Sequence, residues 1–148
     1  MRAALAEAEA AGQAGELPIG AVVVIDGEIV SRGRARHRER RSQLAHAELL
    51  ALQTGGPKLF TGYRGAFLFT TCDPCPMCLG AAVMADVPHI IFACRDALVH
   101  SSLTLDANPY VRRHIKTYQG GVLEAEDRAI MGRYDPRMLA YITTGHSS

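Results

Sequence analysis

Two short segments of this chain carry residues able to do chemistry together: His46-Ala47-Glu48 and Pro74-Cys75-Pro76-Met77-Cys78. Cys75 and Cys78 are three positions apart, which puts both sulfurs on one face of a helix's first turn. Thiolates are favoured there, because the free N–H groups and the dipole of a helix start stabilise negative charge. Two thiolates and one imidazole make three good zinc ligands. A catalytic zinc keeps its fourth position for water, whereas a structural zinc fills it with protein. Glu48 turns the reading towards catalysis. Two positions from His46, it lies on a different helical face and is a poor co-ligand, but from a helix end it can reach the open side of the ion. Zn²⁺ with two thiolates and a neutral imidazole has no net charge, so it is a weaker Lewis acid than a three-histidine zinc. Water at such a site needs a base beside it. Glu48 can take that proton and return it to a leaving group.

Plainer readings compete with this one. Cys75 and Cys78 alone would suit a redox pair at a helix start, but that leaves His46 and Glu48 without a task. Cys72 extends the run to Cys-x-x-Cys-x-x-Cys. His46, Cys72, Cys75 and Cys78 together would close a structural zinc and make the chain a non-catalytic binding module. Against this, Cys72 falls at a predicted strand end, whose side chain need not point where the helix start does. Cys94 follows a buried apolar strand and reads as a core thiol. His37, His89, His100, His114 and His146 lack partner spacing and read as surface or core histidines rather than ligands. Met77 and Met84, seven apart on one helix, read as core packing.

His-Ala-Glu followed by Pro-Cys-x-x-Cys resembles the signature of the cytidine-deaminase-like zinc deaminases. The likeness runs from Leu17-Pro18-Ile19-Gly20-Ala21 to Ile91-Phe92-Ala93-Cys94-Arg95-Asp96. It is similar to the branch of bacterial guanine deaminases, yeast-type cytosine deaminase and tRNA adenosine deaminases. Thr71-Cys72-Asp73-Pro74-Cys75-Pro76-Met77-Cys78-Leu79-Gly80-Ala81 resembles the guanine-deaminase version most. The resemblance implies that His46, Cys75 and Cys78 bind Zn²⁺, that Glu48 shuttles protons, and that Ala47 touches the substrate's carbonyl or ring edge. It also implies a homodimer. Asp96, His100 and Asp106 follow the fourth predicted strand, where this family often forms the pocket wall, and are candidate substrate contacts. Asp73, just before Pro74, is a candidate helix cap or substrate contact. In one place the chain departs from its relatives: they usually carry a substrate-binding asparagine eleven residues before the metal histidine, and here that position is Ala35. A site without that amide discriminates differently. The implied reaction is hydrolytic release of ammonia from a nucleobase, base analogue or nucleoside, guanine- or cytosine-like. The alternative is deamination of adenosine to inosine in tRNA.

The chain that must position these residues has 148 of them, enough for one domain with its own core, 1–148. Hydrophobic residues make up 48% and charged residues 21%, a globular balance that excludes disorder, collagen and coiled coil as overall descriptions. No apolar run reaches the roughly 18–20 residues of a membrane span. Glu7 and Glu9 interrupt the start as a secretory signal, so a cytoplasmic protein is expected. Four cysteines in such a chain point to metal or redox chemistry before disulfides. Net charge is +1, yet residues 32–41 hold six arginines against one glutamate, so the remainder is acidic. That segment is usually a solvated face. Lying just upstream of His46, it is also a means of attracting an anionic partner such as tRNA.

Periodicity and breakers predict helix over Ala3–Ala11, strands Gly20–Ile25 and Glu28–Val30 around an Asp26-Gly27 hairpin, then the arginine stretch as edge continuation or loop. Helix follows over Ala45–Gln53, ended by Gly55-Gly56-Pro57. The rest reads as strand Gly65–Thr71, helix Cys75–Ala85, strand Pro88–Ala93, helix Pro109–Tyr118, strand Gly120–Leu123 and helix Arg128–Ile142. Strands alternating with helices after an opening hairpin imply a three-layer α/β/α sandwich on a mixed five-stranded sheet.

Overall fold

The computed structural model describes residues 1–146; Ser147 and Ser148 lie outside the description. Alanines of α1 (Arg2–Gln13) pack on β1 (Gly20–Ile25), which turns through Asp26 and Gly27 into β2 (Glu28–Arg34). Both turn residues have positive φ, 50° and 81°, as a two-residue hairpin turn of right-handed twist demands. α2 (His37–Arg40) and α3 (Ala47–Gly62) lead to β3 (Ala66–Cys72), α4 (Pro76–Met84) and β4 (His89–Cys94). α5 (Ser101–Ala107), α6 (Pro109–His114), β5 (Thr117–Gln119), α7 (Glu124–Tyr134) and α8 (Pro136–Thr144) complete the chain.

The sheet order is β2-β1-β3-β4-β5. β1 runs antiparallel to both β2 and β3, whereas β3, β4 and β5 are parallel, so the expected mixed sheet of five strands is present. Period-2 alternation sends Ala21, Val23 and Ile25, with Leu68, Ile90 and Phe92, into one core shared with Ala51 and Leu59 of α3 and Leu79 and Val83 of α4. α1 and α7 cover the other face. β4 is buried along nearly its whole length because helices lie on both of its faces.

Several element boundaries differ from the sequence reading. β2 continues to Arg34, the edge continuation among the two expectations, and the rest of the arginine stretch holds the one-turn α2. α3 does not stop at Gly55-Gly56-Pro57 but runs through to Gly62. Tertiary packing overrides the local breakers: Gly55 lies so close to β2 that a Cβ there would meet Ser31 Oγ at 2.8 Å, and Leu59 is buried in the core. The predicted helix Pro109–Tyr118 is α6 followed by β5, and the fifth strand precedes Gly120 rather than following it. Pro136 divides the last helix in two. Met84 is 73% exposed, so the methionine stripe of α4 does not pack into the core. No described helix is long and apolar enough to cross a membrane.

Candidate metal centre and active site

Two helix starts converge at the site. His46 stands in extended conformation at the N-cap of α3, so Ala47 and Glu48 fall in that helix's first turn. Cys75 is likewise the extended N-cap of α4, followed by Pro76, and Cys78 lies in the first turn. Neither side chain makes a capping hydrogen bond to its own helix. The start of α3 is pressed onto β2 at Gly33, where a Cβ would meet the Ala47 carbonyl oxygen at 2.2 Å. Only glycine permits that approach, and the approach sets where His46 and Glu48 stand.

His46 Nδ1 lies 3.7 Å from Cys75 Sγ and 3.6 Å from Cys78 Sγ. The three donor atoms are all within 4.8 Å of one another. A tetrahedral zinc with Zn–S of about 2.3 Å and Zn–N of about 2.0–2.1 Å has N···S edges near 3.5 Å, so the spacing and the N,S,S donor set fit that ion. Cys72 is outside this cluster among the described residues. It sits at the end of β3, paired in register with Cys94. The fourth-ligand arrangement that would close the site is therefore not the one this chain adopts.

The electrostatics favour thiolate at the cluster. A hydrogen bond from the Cys78 thiol, together with the adjacent His46 ring, pulls Cys75 down to about 4. The same shared proton, with burial, pushes Cys78 up. The Cys75 sulfur in turn raises His46. Glu48 is only 3% exposed, and burial raises its carboxyl above the ordinary value. A carboxyl raised in this way is a stronger base than a solvated one, the property a proton carrier needs.

Beside the cluster opens a cavity of about 180 Å³. Leu17, Ile19, Ala35 and His37 form one wall, and Cys72, Asp73, Asp96 and Val99 another. Ala47, Glu48, His46 and Cys75 line its metal side, and Met138 and Tyr141 of α8 line it as well. Of the residues singled out in the sequence, His46, Ala47, Glu48, Asp73, Cys75 and Asp96 all reach this cavity, and Cys78 joins through the ligand cluster. Asp73 does not cap α4: its carboxylate accepts a hydrogen bond from the Tyr118 hydroxyl, and its amide donates to the Cys94 carbonyl. Asp96 accepts from the amides of Leu98 and Val99 and so shapes the loop after β4. His100 and Asp106 do not line the cavity. The chain turns away after Val99: His100 is exposed at the start of α5, and Asp106 faces Arg112 in solvent at 3.7 Å.

Three cavity residues carry no signal in the sequence. His37 has the spacing of an ordinary histidine, yet its ring meets the His46 ring edge-on, with centroids 5.0 Å apart. Met138 and Tyr141 come from the far end of the chain, and only the packing of α8 brings them here. No local motif marks either; the apolar stripe of α8 is all that could point to them.

Fold and site together define a zinc-type nucleobase or nucleoside deaminase, a hydrolase acting on a C–N bond. Residues 1–94 match the model of the cytidine and deoxycytidylate deaminase zinc-binding region, and the chain belongs to that family. A tRNA-specific adenosine deaminase of Bacillus subtilis is 39% identical over 129 residues, covering 85% of this chain and 80% of its own length. A structure described for A-to-I editing by tRNA:A34 deaminases at the wobble position of transfer RNA superposes with a TM-score of 0.76 at 33% identity, covering 88% of this chain and 96% of the other. A guanine deaminase from Bacillus subtilis superposes with a TM-score of 0.55 at 34% identity, over 62% of this chain and 59% of the other.

Proposed function

We propose that this chain deaminates adenosine to inosine in tRNA, with water as co-substrate and ammonia as product. The observation that carries this reading is the likeness to the Bacillus subtilis tRNA-specific adenosine deaminase, which extends over 80% of that protein's length. The motifs by themselves put a free base or nucleoside first; the relatives favour the RNA. His46, Cys75 and Cys78 hold the zinc, which supplies a Lewis acid able to make water nucleophilic near neutral pH. Glu48 does the proton work. It takes one proton from the attacking water, delivers it to the purine ring nitrogen next to the amino-bearing carbon, and later protonates the departing ammonia. Burial keeps its carboxyl raised, which suits a group that must both accept and return a proton. The Ala47 backbone faces the base edge, while Asp73 and Asp96 bound the pocket. Ala35 offers no side-chain amide to the substrate, and the His37 ring lines the same cavity. The full 1–148 segment acts as one deaminase domain, working in the cytoplasm as a homodimer.

Glu48→Ala tests the chemistry. The variant keeps one zinc per chain and its fold, while inosine formation in a tRNA with adenosine at the wobble position falls by at least about 10²-fold. Ammonia release from guanine, cytosine or adenine without any from that tRNA would move the substrate to a free base. An unchanged rate in Glu48→Ala would end the proton-carrier role.

A further inference from the structure

The segment 32–37 borders two separate cavities. Ala35 and His37 line the metal cavity, while Arg32, Arg34 and Arg36 line a second one with Arg40. The second cavity, of about 120 Å³, is completed by Glu7, Gly33, Leu50 and Thr54, and shares no lining residue with the first. Two of its four arginines have carboxylate neighbours: Arg32 lies 3.6 Å from Glu7 and Arg36 3.1 Å from Glu39. Arg34 and Arg40 have no ion pair among the described residues, and the Nε of Arg34 is buried without a hydrogen-bond partner. A guanidinium N–H withdrawn from water and left unpaired is costly, and four guanidinium groups round one hollow repel one another. An oxyanion relieves both terms, and arginine's planar fork matches a phosphate's oxygens. The segment is held in place for this: Glu16, from the turn after α1, accepts from the amides of Arg38 and Glu39 at 3.0 and 2.7 Å.

We infer that Arg34 and Arg40, with Arg32 and Arg36 around them, form a phosphate-binding site on the β2 edge, apart from the metal centre. Phosphate binding follows from the arginines alone. That the phosphate belongs to the backbone of a bound RNA rests on the substrate proposed above, and places a contact away from the nucleoside being deaminated.

The test uses the zinc-loaded full chain, its R34Q, R40Q and R34Q/R40Q variants, and R137Q on α8 as control. Two probes are titrated: inorganic pyrophosphate, and a fluorescein-labelled anticodon stem-loop RNA over a range of salt concentrations. The double variant is expected to bind the stem-loop roughly tenfold more weakly. Its slope of log affinity against log salt is expected to shrink by about one for each phosphate that the arginines no longer neutralise. Its turnover at saturating RNA is expected to stay as in the wild type, because neither arginine touches the metal cavity. The exposed Arg40 on α2 gives a single variant that keeps the fold if loss of Arg34 disturbs it. Pyrophosphate binding that needs Arg34 and Arg40, with no RNA binding by any form, would uphold the phosphate site, assign it to a small phosphorylated ligand and count against the tRNA substrate. Deamination of the stem-loop with affinity, salt slope and pyrophosphate binding all unchanged in R34Q/R40Q would overturn the site while leaving the deaminase reading intact.

Discussion

Four cysteines share one small protein, and their surroundings give them different work. Cys75 and Cys78 stand at a helix start facing an imidazole, where Cys75 is held as thiolate and Cys78 keeps the shared proton. Cys72 and Cys94 pair across parallel strands in an apolar cluster with Met131 and Ile142, where burial pushes both thiols up. Cys72→Ser is therefore expected to retain one zinc per chain and most of the deaminase rate, as read by metal analysis and inosine formation; loss of the ion would restore Cys72 as a ligand. Behind Cys94, Asp127 is fully buried with neither carboxylate oxygen hydrogen-bonded. Burial pushes its pKa from 3.8 up to about 7. Between those values the folded chain binds a proton that the unfolded chain has lost, so Asp127 favours folding below 3.8 and this advantage disappears as pH rises to about 7. Relative to Asp127→Asn, the wild type should lose stability over that window, by at most about 1.4 kcal/mol per pH unit. Urea unfolding at pH 5 and pH 8 measures it; equal differences at the two values would show that Asp127 ionises freely.

At the scale of elements, the catalytic geometry depends on where two helices begin. α3 is seated by the contact between Gly33 and the Ala47 carbonyl, and α4 by the turn that follows β3. Gly33→Ala puts a methyl at 2.2 Å from that carbonyl. The backbone must move apart, with a cost of about 1–3 kcal/mol for overpacking, and the start of α3 carries His46 and Glu48 with it. The expected result is a lower melting temperature together with weaker zinc retention against a chelator. Unchanged values of both would mean that β2 and α3 adjust without strain. Gly20→Ala adds a like clash against the Ala4 carbonyl of α1; it should destabilise the fold with a smaller effect on the metal, which separates general loosening from displacement of the site.

Across the whole molecule, charge and apolar surface are unevenly placed. The arginines gather on the β2 edge of an otherwise acidic body. Phe60 at 86% exposure and Met84 at 73% lie together along a groove between the ends of α3 and α4 that Leu52, Leu59 and Tyr63 also line. So much exposed apolar side chain on a small protein is the mark of an interface, in keeping with the homodimer proposed. Met84→Asp should shift the chain towards monomer in light scattering, and a wild type that is monomeric at micromolar concentration would remove this face from consideration.

The His46, Cys75 and Cys78 cluster, the glutamate beside it and the mixed sheet were legible in the sequence because each depends on short spacing. Cys75 and Cys78 need only one helical turn, and the hairpin needs only Asp26-Gly27 between two β-branched runs. Elements held by distant contacts were not legible. α3 continues through Gly55-Gly56-Pro57 because the β2 surface under it is worth more than the local propensity it violates. Met84 faces outward because the sheet reaches only one side of α4. The place of Met138 and Tyr141 on the cavity wall, the departure of His100 and Asp106 from the cavity, and the division of residues 32–37 between two cavities all depend on which parts of the chain meet. Local spacing set the chemistry; packing between segments far apart in sequence decided what surrounds it, since those contacts leave no periodic trace in the order of residues.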